Sequence, residues 1–163
     1  MAIVNTSSLF PEKLPRRTLE PSDLEIRGDL AERLRRAVNR LRNEPPYSPD
    51  YILHSVSYKS GTLSHFSDWS GGLSGRWVYV LTCAQRLTHE NYPELMAIAE
   101  ELLTYQHPDG HFGKPQPLST TDRAQIYGNG WLLLGLTEHY LSTGDERFLS
   151  AERRLGDYYV ATQ

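Results

Sequence analysis

The stretch YGNGWLLLGLTEHYLSTGDERFL, residues 127–149, decides the fold. Its first part is apolar, its middle is a Thr-Gly-Asp turn, and its last part begins an amphipathic segment. This order is typical of a helical hairpin in which an inner helix is followed by an outer one. The same order runs from Gly75 to Gln106, so the hairpin repeats at a spacing of about 55 residues. Repeated hairpins must stack to bury their apolar faces.

The repeat predicts an all-α fold of antiparallel helical hairpins. Inner helices are expected near 72–87 and 121–142, and outer helices near 92–106 and 146–162. A further helix is expected from about residue 21 to residue 43, before the Pro45-Pro46 pair. The helix at 121–142 is apolar on nearly all sides, which predicts an inner helix that is buried on most of its surface.

Two segments lack a helical pattern. Residues 1–20 contain Pro11 and Pro15 and no periodic apolar residues, which predicts an extended N-terminal arm. Residues 47–68 are irregular, and the one strand-like stretch within them is 51–58. A long loop in a compact domain is usually functional or lies on a partner surface. The expected organisation is therefore an arm at 1–20 and one partial toroid domain at 21–163.

The composition is that of a soluble globular protein, with a formal net charge of −3. Neither nucleic acid nor a membrane is expected as a partner, because both require clustered positive charge or a long apolar span. Basic side chains in the first helix alternate with apolar ones, which favours a solvated helix face over a binding patch. The start of the chain lacks the pattern of a secretory signal, so the expected location is the cytoplasm.

Cys83 is the only cysteine, which excludes an internal disulfide and a thiolate-rich metal site built from this chain alone. Its apolar neighbours favour a buried core position over a nucleophile. The histidines show no pair at metal-ligand spacing on one helix face. No metal and no cofactor is therefore predicted for this chain.

The connections between the helices differ in length. The turns from inner to outer helix, at 88–91 and 143–145, are short. The connection from outer to inner helix, at 107–120, is long and rich in Pro, Gly and His. Because rigid helices position variable loops for binding, a ligand cleft is expected at the end that carries the long loop.

Asp68 and Trp69 are the first candidates for sugar binding. They precede an inner helix and lie in a loop rich in Ser and Gly. A carboxylate beside an indole ring suits a sugar, which offers both hydroxyl groups and an apolar C–H face. The alternative is that Asp68 caps the helix and Trp69 packs beneath the loop.

His111 is the second candidate. It lies in the sequence DGHFG, residues 109–113, where a glycine on each side allows the backbone to approach a ligand, and it is expected to be exposed. The alternative is a structural turn that Asp109 forms and Phe112 anchors.

Tyr127, Asn129 and Trp131 form the third set, at the start of the most apolar helix. Gly128 and Gly130 interrupt them. A glycine inside a helix costs ~1 kcal/mol relative to alanine, so two of them indicate either close helix packing or a ligand near the backbone. Asn129 is expected to point toward the axis of the ring of hairpins.

The order of these features resembles one family. Residues 60–163 carry Asp68-Trp69 before an inner helix, then QHPDGHFG at 106–113, then YGNGWLLLGL and a TGDER turn. This order is similar to the N-terminal part of the β-L-arabinofuranosidase-like glycoside hydrolases, family 127 and its relatives. The resemblance implies that family's six-hairpin (α/α)6 toroid, of which this chain would form about two and a half hairpins.

The resemblance also implies a division of roles. Where the family places sugar-binding histidines, on or next to two inner helices, this chain has Arg76 and Asn129. The family's zinc-bound cysteine nucleophile and glutamate acid/base lie in the later half of the toroid, which the 163 residues do not include. The implied protein is the N-terminal portion of a glycoside hydrolase that binds carbohydrate and is inactive in isolation. Zinc would belong to a full-length relative.

Two other functions stay open. One is a noncatalytic helical scaffold that binds carbohydrate or a protein. The other follows from the Gln…Asp-Gly-x-Phe-Gly pattern, which is also similar to the repeats of terpene-cyclase and prenyltransferase toroids. Those enzymes require an Asp-rich diphosphate motif, and this sequence has none.

An incomplete ring has consequences for assembly. The inner helix that carries Trp131 and residues 132–134, and the last helix with Tyr158 and Tyr159, would each leave an apolar face unstacked. Such faces associate or aggregate unless they are covered. The expectation is either a homo-oligomer or a protein that is stable only with the remaining C-terminal half of its toroid.

Overall fold

The computed structural model describes residues 23–57, 70–114 and 123–162. Every regular element in these ranges is a helix, which confirms the predicted all-α class. The expected arm at 1–20, Asp68 and Trp69 lie outside the described residues. The six helices are α1 (Gly28–Asn43), α2 (Pro49–Ser57), α3 (Gly72–Thr88), α4 (Pro93–Thr104), α5 (Arg123–Thr143) and α6 (Glu146–Ala161).

The two predicted hairpins are present as α3–α4 and α5–α6, and their turns repeat. The hydroxyl groups of Thr88 and Thr143 donate to backbone carbonyls four residues earlier, at 2.9 and 2.8 Å. The next residues, His89 and Gly144, both have positive φ, at 57° and 70°, and both backbone N–H groups also donate four residues back. Since 143 − 88 equals 55, these hydrogen bonds fix the repeat at 55 residues.

The two inner helices, α3 and α5, run parallel and in close contact through glycine. A Cβ atom at Gly75 would lie 2.5 Å from the backbone nitrogen of Leu132, and one at Gly135 would lie 2.6 Å from the carbonyl oxygen of Gly75. Further along, Thr82 hydrogen-bonds His139 at 3.1 Å. The contacts advance together along both helices, so the helices share one direction. Glycine is required here because any side chain would hold the two backbones apart.

The outer helices cover the core. Leu95, Ile98 and Leu102 of α4 are buried, as are Phe148 and Leu155 of α6. Each outer helix is amphipathic, with its charged side toward solvent, as the sequence predicts. On α1, Arg33 and Arg36 pair with carboxylates four residues earlier, Asp29 and Glu32, and stay exposed, which confirms the solvated basic face.

The interpretation of residues 51–58 as strand-like is wrong. Residues 49–57 form helix α2, in which Ile52, Leu53 and Val56 are buried. This spacing is the period of a helix, whereas a strand would bury alternate residues. The helix begins where the hydroxyl of Ser48 accepts a hydrogen bond from the N–H of Tyr51, at 3.2 Å. It packs on α3, where Ser74 donates to the carbonyl of Ile52 at 2.6 Å.

Helix α5 is less buried than its sequence predicts. Leu132 and Leu136 are fully buried, but Ile126, Tyr127 and Leu134 are exposed. Helix α3 covers one side of α5 and α6 covers a second, and no described element covers the third. In contrast, Tyr158 of α6 is buried and Tyr159 is partly buried, so the expected open face of the last helix is largely closed.

Candidate functional site

Three of the predicted sugar-binding residues lie together on one solvent-facing surface. Arg76 of α3 has its guanidinium carbon 5.8 Å from the centre of the Trp131 ring of α5. The rings of Tyr127 and Tyr79 approach the same indole edge-on, with centroid distances of 6.2 and 6.3 Å. We refer to Arg76, Tyr79, Tyr127 and Trp131 as the aromatic face. Tyr127 is exposed and the other three are partly exposed.

The close contact of α3 with α5 creates this surface. Because the backbone of Trp131 lies against Gly75, its side chain emerges beside Arg76 and Tyr79, which follow Gly75 on α3. Tyr127 is one helical turn before Trp131 and therefore lies on the same side of α5. Tyr79 is not among the residues predicted from the sequence. Its spacing of three residues from Arg76 was the available signal, since residues three apart share a helix face.

An ion pair lies two helical turns beyond Tyr79 and Trp131. Arg86 of α3 pairs with Glu138 of α5, and both side chains are mostly buried. Burial, followed by the charge of Glu138, raises the pKa of the Cys83 thiol. The pKa of the neighbouring Tyr79 hydroxyl is raised too, first by Cys83 and then by burial. Both groups therefore stay protonated at neutral pH, so the thiol is a poor nucleophile. Cys83 itself is partly exposed, so the buried core position expected for it is wrong.

Asn129 lies elsewhere, inside the protein. Its side-chain oxygen accepts from the N–H of Phe112 at 3.1 Å. Its amide nitrogen donates to the carbonyls of Ser70, Phe112 and Gln125 at 3.1, 3.2 and 3.1 Å. The side chain is fully buried and joins the start of α3, the loop after α4 and helix α5. Asn129 thus points toward these loops and not toward an open ring axis, and its geometry is that of a structural clamp.

His111 is buried, with 3% of its surface exposed, so the expectation of an exposed histidine is wrong. Its ring stacks between His107 and Tyr158, at centroid distances of 4.2 and 4.9 Å. Nδ1 lies 2.6 Å from the Asp109 carboxylate, and Nε2 lies 2.8 Å from the carbonyl oxygen of Lys114. Each ring nitrogen of His111 therefore has a hydrogen-bond partner within the loop.

Asp109 forms the turn that was proposed as the alternative for this loop. Its carboxylate accepts from the backbone N–H of His111 at 3.4 Å as well as from the ring. Partial burial raises the pKa of Asp109, but the hydrogen bonds from His111 outweigh it and leave the pKa below its usual value. The described arrangement is therefore a charge-assisted structural turn.

Two glycines and a glutamine lock this loop in place. Gly110 and Gly113 have φ of 103° and 94°, and a Cβ at either would overlap Arg154 or Ser70. Gln106 donates to the carbonyls of Gly110 and of Ala151 in α6, both at 2.8 Å. The loop at 107–114 thus binds the hairpins to each other. Of the residues predicted to bind sugar, His111 and Asn129 lie in or against this loop, whereas Arg76, Tyr127 and Trp131 lie on the aromatic face.

The described residues show neither a metal-binding cluster nor a membrane-crossing helix. Within the described ranges there is no cluster of three or more His, Cys, Asp or Glu side chains placed to hold a metal ion. None of the described helices combines the length and the apolar character that crossing a membrane requires. Comparison with protein-family models, curated proteins and solved structures gives no match to this chain.

Proposed function

We propose that the aromatic face binds carbohydrate, as the N-terminal portion of a glycoside hydrolase of the β-L-arabinofuranosidase-like type. The observation that carries this proposal is the cluster of three aromatic rings, one exposed and two partly exposed, beside a guanidinium group. Exposed aromatic clusters are uncommon on protein surfaces that bind nothing. The family resemblance, which rests on the order of motifs in residues 60–163, supports the same substrate class.

The chemistry of the face fits a sugar ring. The apolar C–H face of a sugar stacks on an indole or phenol ring, and the burial of that area provides affinity. The hydroxyl of Tyr127 and the guanidinium of Arg76, whose Nε donates to the carbonyl of Gly72 at 2.8 Å, are the polar groups beside these rings that sugar hydroxyls would meet. The hydroxyl of Tyr79 already hydrogen-bonds Cys83. A few directed polar groups around apolar rings are typical of small-molecule sites.

Hydrolysis is not proposed for the isolated chain. Glycoside hydrolysis requires a pair of catalytic groups, which in the family that this chain resembles are a zinc-bound cysteine and a glutamate in the later half of the toroid. Among the described residues, the carboxylate that follows the aromatic face along α5 is that of Glu138, and Arg86 holds it in an ion pair. We therefore expect binding without turnover of aryl arabinofuranosides. Turnover that survives purification, and that a substitution in this chain abolishes, would contradict this.

The proposal is tested by titrating the chain with arabinose-containing oligosaccharides and following binding by calorimetry. Trp131→Ala should weaken binding about tenfold, which corresponds to ~1.4 kcal/mol, whereas Trp131→Phe should retain most of it. Leu141→Ala is the matched control, because Leu141 is an exposed apolar residue of α5 outside the aromatic face. Binding that the Trp131→Ala variant retains in full would contradict the proposal.

A noncatalytic protein-binding scaffold is the second candidate. Exposed Ile126, Leu134 and Leu141 favour it, because they place apolar side chains beside the aromatic face. The two functions separate experimentally. Loss of sugar binding in Trp131→Ala supports the first, whereas sugar-independent association that Leu134→Glu abolishes supports the second.

A further inference from the structure

One side of α5, which we call the Gly130 flank, is apolar and open. It consists of Ile126, Gly130, Leu134, Thr137 and Leu141, which are three or four residues apart and therefore share a helix face. The side chains of Ile126, Leu134 and Leu141 are 40, 51 and 65% exposed. A Cβ placed at Gly130 would meet no atom of the described residues within 4 Å.

The 55-residue repeat relates this flank to a contact that is already formed. Subtracting 55 from 130 gives 75, and Gly75 is the residue at which α3 receives the backbone of α5. Gly130 is therefore the same position in the second hairpin. Glycine inside a helix is destabilising relative to alanine unless close packing requires it. At Gly75 the packing is present, and at Gly130 no described residue supplies it.

We propose that the Gly130 flank binds the same flank of a second copy of this chain. The two α5 helices cross at Gly130 about a two-fold axis and run antiparallel. Ile126 and Leu134 lie four residues on either side of Gly130. In this register residue n of one copy faces residue 260 − n of the other, so each Ile126 packs against Leu134 of the second copy. A flank that is complementary to itself is what a two-fold dimer requires.

The charges along the flank fit this arrangement. Residues 124–137 include no charged side chain, so two copies meet without repulsion. The register places Arg123, which is exposed, opposite Thr137 of the second copy. Thr137 donates to one oxygen of Glu152 at 2.8 Å. The other oxygen of Glu152 is buried, so the guanidinium of a second copy faces this carboxylate across Thr137 and does not bond that oxygen directly.

The dimer is weak because the flank is small. A standard stable interface buries about 800 Å² on each partner, and one pair of helix faces covers less than that. A dissociation constant in the micromolar range is expected. The dimer concerns the chain of 163 residues, in which no described element covers the flank, whereas in the toroid that the resemblance implies the next hairpin would lie there. The inference goes beyond carbohydrate binding, since the flank uses side chains other than those of the aromatic face.

Sedimentation equilibrium of the purified chain from about 1 to 200 µM tests the proposal. The wild-type chain should change from monomer to dimer across this range. Gly130→Leu should weaken the dimer at least tenfold. Gly156→Leu is the matched control, because Gly156 is also helical and a Cβ there also meets nothing within 4 Å, but it lies on α6. Circular dichroism is the check that both variants keep the helical fold.

Cross-linking tests the two-fold axis. In a Cys83→Ser background, a chain with both Ile126→Cys and Leu134→Cys should form disulfides between copies on oxidation, since residue 126 of one copy faces residue 134 of the other. Gly156→Cys should not. A chain that stays monomeric at every concentration would overturn the proposal. That result would favour another occupant for the flank, such as a further helical hairpin of a longer polypeptide. A dimer that Gly130→Leu leaves intact, or one in which the cysteines at 126 and 134 never cross-link the two copies, would also overturn it.

Discussion

At the scale of single residues, Asn129 shows how one polar side chain can join three segments. It bonds Ser70 and Phe112 from a position with no exposure to solvent. Removing a buried partner leaves donors and acceptors unsatisfied, at about 1–3 kcal/mol each. Asn129→Ala should therefore lower the free energy of unfolding by about 3 kcal/mol in urea denaturation. Asn91→Ala, at an exposed position, is the control and should leave it unchanged.

His139 predicts how the stability depends on pH. Burial lowers the pKa of this histidine, and the charge of Asp145 opposes the shift only in part. The unfolded chain then binds a proton that the folded chain does not, so stability is complete above the unfolded pKa of about 6.5. Below that pH it should fall until the folded pKa is reached. Urea midpoints at pH 7.5 and 5.5 measure this, and the drop should shrink in His139→Gln. His89→Asn, at an exposed position, is the control and should show the wild-type drop. An equal drop in His139→Gln would contradict the assignment of the pH dependence to His139.

At the scale of elements, Gly75 governs the contact between α3 and α5. A Cβ at this position would overlap the backbone of Trp131 and Leu132. Backbone cannot move aside as a side chain can, so Gly75→Ala should destabilise the fold by several kcal/mol, about 3 or more. Gly156→Ala has open space and should stabilise it by roughly 0.5–1 kcal/mol through helix propensity. Thermal denaturation of the two variants compares them, and equal shifts would contradict the role of Gly75.

The elements also show what the sequence could predict. The Thr-containing turns at 88 and 143 carry local hydrogen bonds, so the hairpins and their repeat were predictable from nearby residues. The grouping of Arg76, Tyr127 and Trp131 was accessible as well, since each lies on a predictable helix face. The burial of His111 and Asn129 was not. It depends on the approach of Ser70, 59 residues from Asn129, and of Tyr158 on another helix.

At the scale of the whole molecule, stability should depend on protein concentration. A second copy that binds only the folded chain raises the unfolding temperature by mass action. For a chain of this size a tenfold rise in concentration above the dissociation constant should add roughly 2 °C. Gly130→Leu should show a smaller dependence over the same concentrations, because its side chain separates the two α5 helices at their crossing and weakens the dimer. Gly156→Leu should follow the wild-type slope, since its position is open and lies away from the flank. Scanning calorimetry at three concentrations gives the slopes, and a wild-type unfolding temperature that is independent of concentration would refute the dimer.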